Sequence, residues 1–310
     1  MSIARKLLLR ASRSQWLAEQ FRRRAFARRA VRRFMPGEEL SAALEASAEF
    51  SRQNIGSVLT NLGERVATRG EAAAVRERYI TALARIRDLS LPGQISVKLT
   101  HLGLDVDPEL CTQNLVALAD EAVRTGSFVW IDIEESRYVD ATLGAFRRAR
   151  ATHSNVGVCI QAYLRRTEAD IAALLPLAPA IRLVKGAYNE PASIAYTAKT
   201  EVDAQYVLVA KRLLESATRG GPPAVLGTHD MRLIGRIREH AHAIGAAKTA
   251  YEIHMLYGIR ASDQRTLAVN GCVVRVLISY GTAWFPWYMR RLAEKPSNVW
   301  FVLRNILGGK

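Results

Sequence analysis

From about residue 91 the chain repeats one pattern: a short β-branched run, a turn, then an amphipathic helix. The strand runs are ISVKLT (95–100), FVWIDIEE (128–135), VGVCIQAY (156–163), IRLVKGAY (181–188), AVLGTHD (224–230), AYEIHML (250–256) and CVVRVLISY (272–280). Asp107 and Pro108 open one intervening helix that Gly126 closes, Thr167 with Asp170 starts another, and Asp230 begins a third. Strands that are apolar throughout and alternate with helices imply a parallel sheet covered on both faces. Seven such runs favour an α/β fold of the (βα)8 TIM-like type over an open sheet. The eighth strand is not fixed by pattern; VWFVL at 299–303 is one option. Absence of a G-x-G-x-x-G after any run argues against a dinucleotide-binding Rossmann domain. Residues 34–90 read as helical, so the division expected is a basic segment and helical arm over 1–90 and the catalytic barrel over 91–310.

Length and charge narrow the function classes. A chain of 310 residues with 49% apolar content suits one barrel with a large core. Cys111, Cys159 and Cys272 have no metal-ligand spacing and read as reduced, buried thiols of a cytoplasmic protein, and no HxxxH pair supports a metal site. The net charge of +15 is concentrated at the start, where residues 1–33 carry eleven Lys and Arg against Glu19 alone. That block is compatible with an anionic membrane surface, an acidic partner, a presequence or a plain solvated helix face. Few aromatic residues interleave with its arginines and no nucleic-acid module is visible, so nucleic acid is not an expected partner.

A barrel of this type places its chemistry at the C-terminal ends of its strands. The ends of these runs are polar: Lys98, Asp132, Gln161, Arg182, Lys185, Tyr188, Thr228, His229 and Glu252. Buried charges are costly unless paired, so their convergence in one mouth implies a polar ligand. After the last run comes WFPWYMRRLAEKPSN (284–298), with Pro286 suited to a first helical turn and Pro296 to a stop. Its adjacent Arg290 and Arg291 offer two forks matched to a carboxylate, and Trp287, four residues before Arg291, can lie against that guanidinium.

Taken in order, RRFMPGEELSAAL (32–44), LGERV (62–66), ISVKLT, IDIEES, IQAYL, RLVKGAY, GTHD, EIHMLYG and YMRRLAEKPSN resemble the proline dehydrogenase family, flavin enzymes that oxidise L-proline to pyrroline-5-carboxylate. The resemblance covers nearly all of the chain after about residue 25, and RLVKGAY combined with the RRLAE helix is its most specific part. It implies a (βα)8 barrel whose final helix sits over the mouth. It further implies that Arg290, Arg291 and Lys98 hold the substrate carboxylate, that Tyr188 and Leu256 wall its ring, and that Asp132 fixes the local charge network. Gln161, Arg182, Val184, Gly186, Ala187, Thr228 and His229 would bind FAD, with the Arg182 cation favouring the reduced flavin. Glu64 would form an ion-pair gate with Arg290. Hydride transfer to flavin N5 would leave a C=N bond, so the protein mainly orients the substrate and keeps its nitrogen unprotonated.

The chain departs from the family pattern at two ring-pocket positions. Leu277 stands where a tyrosine is usual at the end of the last run, and Trp287 where one is usual three residues before the first arginine. Either L-proline is oxidised with altered affinity, or the substrate is a proline analogue or another small secondary amino acid in a specialised pathway. The rival readings are a Schiff-base lyase using Lys98 or Lys185, a nucleic-acid binder built on the basic N-terminus, and a family member that binds without turnover. Single-domain members of the family commonly pass electrons to a membrane quinone, so the resemblance implies a quinone acceptor. The basic N-terminus would suit peripheral contact with the inner membrane.

Overall fold

A computed structural model of the chain describes residues 31–294, with side chains as far as Met289. Eight parallel strands close into a barrel: β1 (Gly56–Asn61), β2 (Gly93–Lys98), β3 (Val129–Asp132), β4 (Val156–Gln161), β5 (Ala180–Val184), β6 (Ala224–Gly227), β7 (Tyr251–Leu256) and β8 (Val273–Tyr280). Each strand bonds to the next and β8 returns to β1 in the register Gly56↔Arg275 through Asn61↔Tyr280. Helices α1 (Leu40–Ser51), α2 (Arg69–Asp88), α3 (Pro108–Arg124), α4 (Val139–Arg150), α5 (Thr167–Leu174), α6 (Lys199–Thr218), α7 (Met231–Ala243), α8 (Ala261–Val269) and α9 (Trp284–Glu294) surround or cover it.

All seven expected runs are strands, but most overrun at the C-terminal end. Thr100, Ile133–Glu135, Tyr163, Lys185–Tyr188 and Thr228–Asp230 lie in the βα loops, where the backbone leaves the sheet and polar residues take over. The eighth strand corrects the reading of 34–90 as wholly helical: it is GSVLTN at 56–61, so the barrel begins well before residue 91. The candidate at 299–303 lies outside the described residues, as do the stop at Pro296 and residues 1–30 of the basic block. Gly56 explains the weak strand signature. It pairs with Arg275, and a Cβ at Gly56 would come within 2.6 Å of that guanidinium. Gly157 on β4 does the same for Trp130, whose ring would lie 2.6 Å from an added Cβ.

The barrel's outward residues and the inner faces of the helices form one apolar core that includes Leu59, Ile95, Val97, Ile131, Leu183 and Val276. Fully burying such an aliphatic side chain contributes roughly 1.5–3 kcal/mol relative to exposure. The local signals that set the helix starts act as the sequence suggests. The Asp107 carboxylate accepts the Glu109 and Leu110 amides at the start of α3, and Thr68 with Glu71 forms a capping box on α2. The helix α1 precedes β1 and packs on both β1 and β8. It thereby fills the outer slot that a helix following β8 would take, and α9 is left to run elsewhere. Instead α9 packs with Leu62 after β1 and Ile259 after β7, on the C-terminal rim of the barrel.

A buried phenol ties the first two strands to α2. Tyr79 Oη donates to the Ser96 carbonyl at 2.8 Å and accepts the Asn61 amide at 3.0 Å. Tyr79→Phe leaves that buried amide without an acceptor. It is expected to cost about 1–3 kcal/mol of unfolding free energy in urea titration, with little change in the denaturant slope.

Candidate active site

Side chains two apart on a strand share a face, so the inward positions follow from any one of them. On β2 these are Gln94, Ser96 and Lys98; on β3, Trp130 and Asp132; on β5, Arg182; on β7, Glu252, His254 and Leu256. At mid-barrel the Arg182 guanidinium, 3% exposed, bonds to Asp132 and donates to Ser96 Oγ at 2.8 Å. Ser96 in turn donates to Asp132 Oδ1 at 2.8 Å, and Lys98 Nζ lies 3.5 Å from Asp132 Oδ2. The guanidinium carbon sits 5.1 Å from the centre of the Trp130 ring. Burial pushes the Asp132 carboxyl up, but the Arg182 and Lys98 charges and the Ser96 hydroxyl outweigh it, holding it below the ordinary carboxylate value. Burial alone would lower Arg182, and the Asp132 charge reverses that.

Beneath this group lies a second polar layer. Glu252 pairs with Arg275 at 3.0 Å and with His254 Nε2 at 3.2 Å, Trp130 Nε1 donates to Gln94 at 2.7 Å, and His254 meets the Trp130 ring edge-on at 5.5 Å. Glu252 therefore does not belong to the mouth: as the second residue of β7 it sits deep, where burial opposes but its His254 bond and the Arg275 charge hold it ionised down to about 2. Ser96, Trp130, His254 and Arg275 were not among the sequence candidates. The period-two alternation from Lys98, Asp132 and Glu252 was the signal that pointed to the first three.

At the rim, Gln161 ends β4 and donates to the Glu134 carbonyl at 3.3 Å, while its buried Oε1 has no hydrogen-bond partner. The neighbouring loop turns sharply at Gly186, at φ +121°, and a Cβ there would lie 2.2 Å from the Tyr163 ring. Val184 and Tyr188 are half-buried and Ala187 exposed on the same segment. On the next loop Thr228 Oγ1 accepts the Asp230 amide at 3.2 Å, and His229 Nε2 accepts the Leu256 amide at 3.3 Å. Asp230 caps α7 and meets Lys185 at 3.1 Å, with Asp203 on the other side of that ammonium at 2.5 Å. Burial opposes, but bonds from Lys185 and Arg232 hold the Asp230 carboxyl down at about 2. An isoalloxazine ring offers one imide N–H, several acceptors and a need for close backbone approach. The orphaned Gln161 Oε1, the tight Gly186 turn and the buried Arg182 cation fit those demands.

The remaining candidates fall around this rim. Leu256 and Leu277 are register neighbours on β7 and β8, both half-buried, and Leu277 packs with Val58, Trp130 and Val225 inside the barrel. Trp287 is buried in a separate apolar cluster that α9 forms with Val31, Phe34, Met35 and Leu62. Glu64 is half-buried in the loop after β1, next to Gly63, where an added Cβ would come within 2.2 Å of His101. The α9 backbone through Glu294 is described, but the side chains of Arg290 and Arg291, and hence the expected Glu64–Arg290 gate, lie outside the described residues. Among the described residues no helix is long and apolar enough to cross a membrane.

A family model for proline dehydrogenase matches residues 43–304. The chain is 33% identical over 306 residues to proline dehydrogenase 2 of Bacillus subtilis subsp. natto, covering 99% of both chains. It is 36% identical over 279 residues to proline dehydrogenase 1 of Bacillus subtilis strain 168, covering 89% of this chain and 90% of that one. It is also 34% identical over 282 residues to proline dehydrogenase of Deinococcus radiodurans, again covering 89% and 90%. Among solved structures, proline utilization A from Bdellovibrio bacteriovorus superposes with a TM-score of 0.81 at 24% identity, over 88% of this chain and 33% of the other. The chain thus spans about a third of that larger protein, and the likeness speaks to the fold.

Two buried histidines give this site a pH signature. Burial, with the nearby Lys98 and Arg78 charges, pushes His101 down to about 4 against a weaker pull from Glu64. Burial, with Arg182 and Arg275, pushes His254 down to about 4 although its bond to Glu252 opposes. The unfolded chain binds these two protons near pH 6.5 and the folded chain does not. Stability is therefore expected to fall as pH drops from about 6.5 toward 4, by about 1.4 kcal/mol per pH unit for each proton. Urea midpoints between pH 7 and pH 5 at saturating FAD check this, and His254→Gln should flatten the slope.

Proposed function

Because the chain belongs to the proline dehydrogenase family, we propose that its barrel mouth oxidises L-proline to pyrroline-5-carboxylate with bound FAD, using the residues assigned below. The protein is an FAD-dependent oxidoreductase of the proline dehydrogenase type. The observation that carries the assignment is the buried Arg182–Asp132–Lys98 group beneath a rim with an orphaned Gln161 oxygen.

Gln161, Arg182, Val184, Gly186, Ala187, Thr228 and His229 would hold FAD. When bound, FAD supplies the acceptor for the hydride that leaves the substrate carbon. Lys98, its ammonium held by Asp132, would receive the substrate carboxylate together with Arg290 and Arg291 from α9. Tyr188, Leu256, Leu277 and Trp287 would bound the ring and exclude water from it. As the hydride departs, the lone pair of the unprotonated substrate nitrogen would form the C=N bond, and the iminium would lose its N–H proton afterwards, so orientation is the protein's main task. Glu64 would pair with Arg290 and close the mouth. The Leu277 side chain offers the ring an apolar wall with no hydroxyl, which alters affinity without removing the carboxylate clamp.

A Schiff-base reading is not favoured. Lys185 is held between Asp203 and Asp230, and Lys98 faces Asp132, so each amine is tied to a carboxylate and not presented in an apolar pocket to a carbonyl. The named relatives favour proline itself over an analogue. A quinone as electron acceptor is a reading supported by the family resemblance, and contact of the basic residues 1–33 with an anionic membrane surface is one supported by their charge.

The test is an anaerobic absorption spectrum of the purified protein titrated with L-proline. A flavin spectrum that bleaches promptly is the expected result; a protein that takes up no FAD, or whose flavin ignores L-proline, overturns the reading. Arg291→Met is expected to raise KM for L-proline at least about tenfold, the scale of one lost charge-assisted contact, and steady-state kinetics measure it.

A further inference from the structure

The helix α9 carries Arg290 and Arg291 but has only a short connection, 281–283, to the barrel. Its first turn is gripped by residues that precede α1. Trp284, 1% exposed, donates its indole Nε1–H to Glu38 Oε1 at 2.7 Å. The Glu38 carbonyl accepts the Gly281 amide at 2.8 Å, so one residue binds both the connection and the first residue of the helix. Val31, Phe34 and Met35 share the α9 cluster, with the Phe34 and Tyr288 rings 6.1 Å apart. The same segment is wedged against the loop after β7: a Cβ on Gly258, at φ +72°, would lie 1.6 Å from the Arg33 carbonyl oxygen.

We propose that Glu38 is a positioning residue for substrate: by fixing Trp284 and Gly281 it sets where α9 sits over the mouth, and so sets the affinity for the substrate carboxylate. The inference rests on the reading of α9 as the carrier of the carboxylate clamp. Several features favour it over a plain surface contact. The indole N–H is buried and has a single acceptor, which lies on a segment more than 240 residues away in sequence. The α9 cluster is separate from the main core and joins the helix to 31–35, Leu62 and Ile259. Among the described residues, α9 is thus held by a cluster of its own and not by the main core, so loosening it is expected to shift α9 without unfolding the barrel. Charge on Glu38 is not required for the role, because a glutamine carbonyl accepts the same indole bond.

The experiment is steady-state kinetics with L-proline on the FAD-loaded enzyme for Glu38→Ala, Glu38→Gln, Trp284→Phe and the Glu38→Ala/Trp284→Phe double variant. Glu38→Ala and Trp284→Phe are each expected to raise KM about fivefold to tenfold with kcat changed less than twofold. The double variant should be no worse than the singles, and Glu38→Gln should stay near wild type. Hydrogen–deuterium exchange should quicken over 281–289 in Glu38→Ala and not in β3 or β5. A KM within twofold of wild type in both single variants overturns the proposal, as does full additivity in the double variant or a Glu38→Gln as weak as Glu38→Ala. If wild type itself fails to bleach with L-proline, the functional reading has failed instead; the pin then stands or falls on the exchange data alone, unchanged exchange over 281–289 overturning it.

Discussion

The pairing of Arg182 with Asp132 inside the barrel is the constraint to which the rest of the architecture answers. Two opposite charges on β5 and β3 are taken out of water, a cost that only close geometry and further hydrogen bonds recover. Ser96 bridges the two, Lys98 adds a second cation to the same carboxylate, and the Trp130 ring faces the guanidinium. Each supporting group creates its own demand. The indole N–H requires Gln94 and its ring requires the gap left by Gly157, and the edge of the ring rests on His254, which is bonded to Glu252 and through it to Arg275. The guanidinium of Arg275 then fits because β1 has a glycine beside it. A barrel interior usually filled by branched apolar layers here holds a stack of linked polar groups beside a small apolar cluster of Val58, Trp130, Val225 and Leu277, and the main apolar core lies outside the strands.

That stack stiffens the floor of the site, while the cover is built on a different principle. Because α1 takes the outer slot between β8 and β1, α9 is free of the helical ring. It meets the body through the rim loops and residues 31–38, in an apolar cluster joined by the Trp284–Glu38 hydrogen bond. A rigid charged floor under a locally held cover suits a ligand that must enter, lose a hydride and leave. On the proposed reading, the same division would put the carboxylate forks on the locally held cover and the cofactor-facing cation on the fixed floor.

Much of this was legible in the sequence because the outward faces of the strands are apolar and the polar residues stand at their ends. Lys98, Asp132, Gln161 and Arg182 were found that way, and each does face the barrel or its rim. Four features escaped for physical reasons. The strand β1 was hidden because it is flanked by long helical patterns and opens on a glycine that the interior needs. Ser96 and His254 looked ordinary because a neutral small residue or a lone histidine carries no charge signal, although each lies two residues from a candidate on the same strand. Glu252 was placed too high because run boundaries blur the depth of a residue, and depth separates a mouth residue from a buried counter-ion. The distant pairing of Glu38 with Trp284 had no local signature at all.

The chemistry explains why the polar groups are arranged for charge and not for proton exchange. Removing a hydride and a nitrogen-bound proton from a small amino acid needs the carboxylate held, the nitrogen unprotonated and water kept out. None of these requires a side chain to change protonation during the reaction. Accordingly Asp132, Asp230 and Glu252 are held as carboxylates by neighbouring cations or hydrogen bonds that outweigh their burial, and the buried His254 is held neutral. A lyase built on the same barrel would instead need one lysine freed from its counter-ions. Both lysines at this mouth are set against carboxylates, so the charge pattern that makes the barrel interior stable also directs it toward oxidation by a bound cofactor.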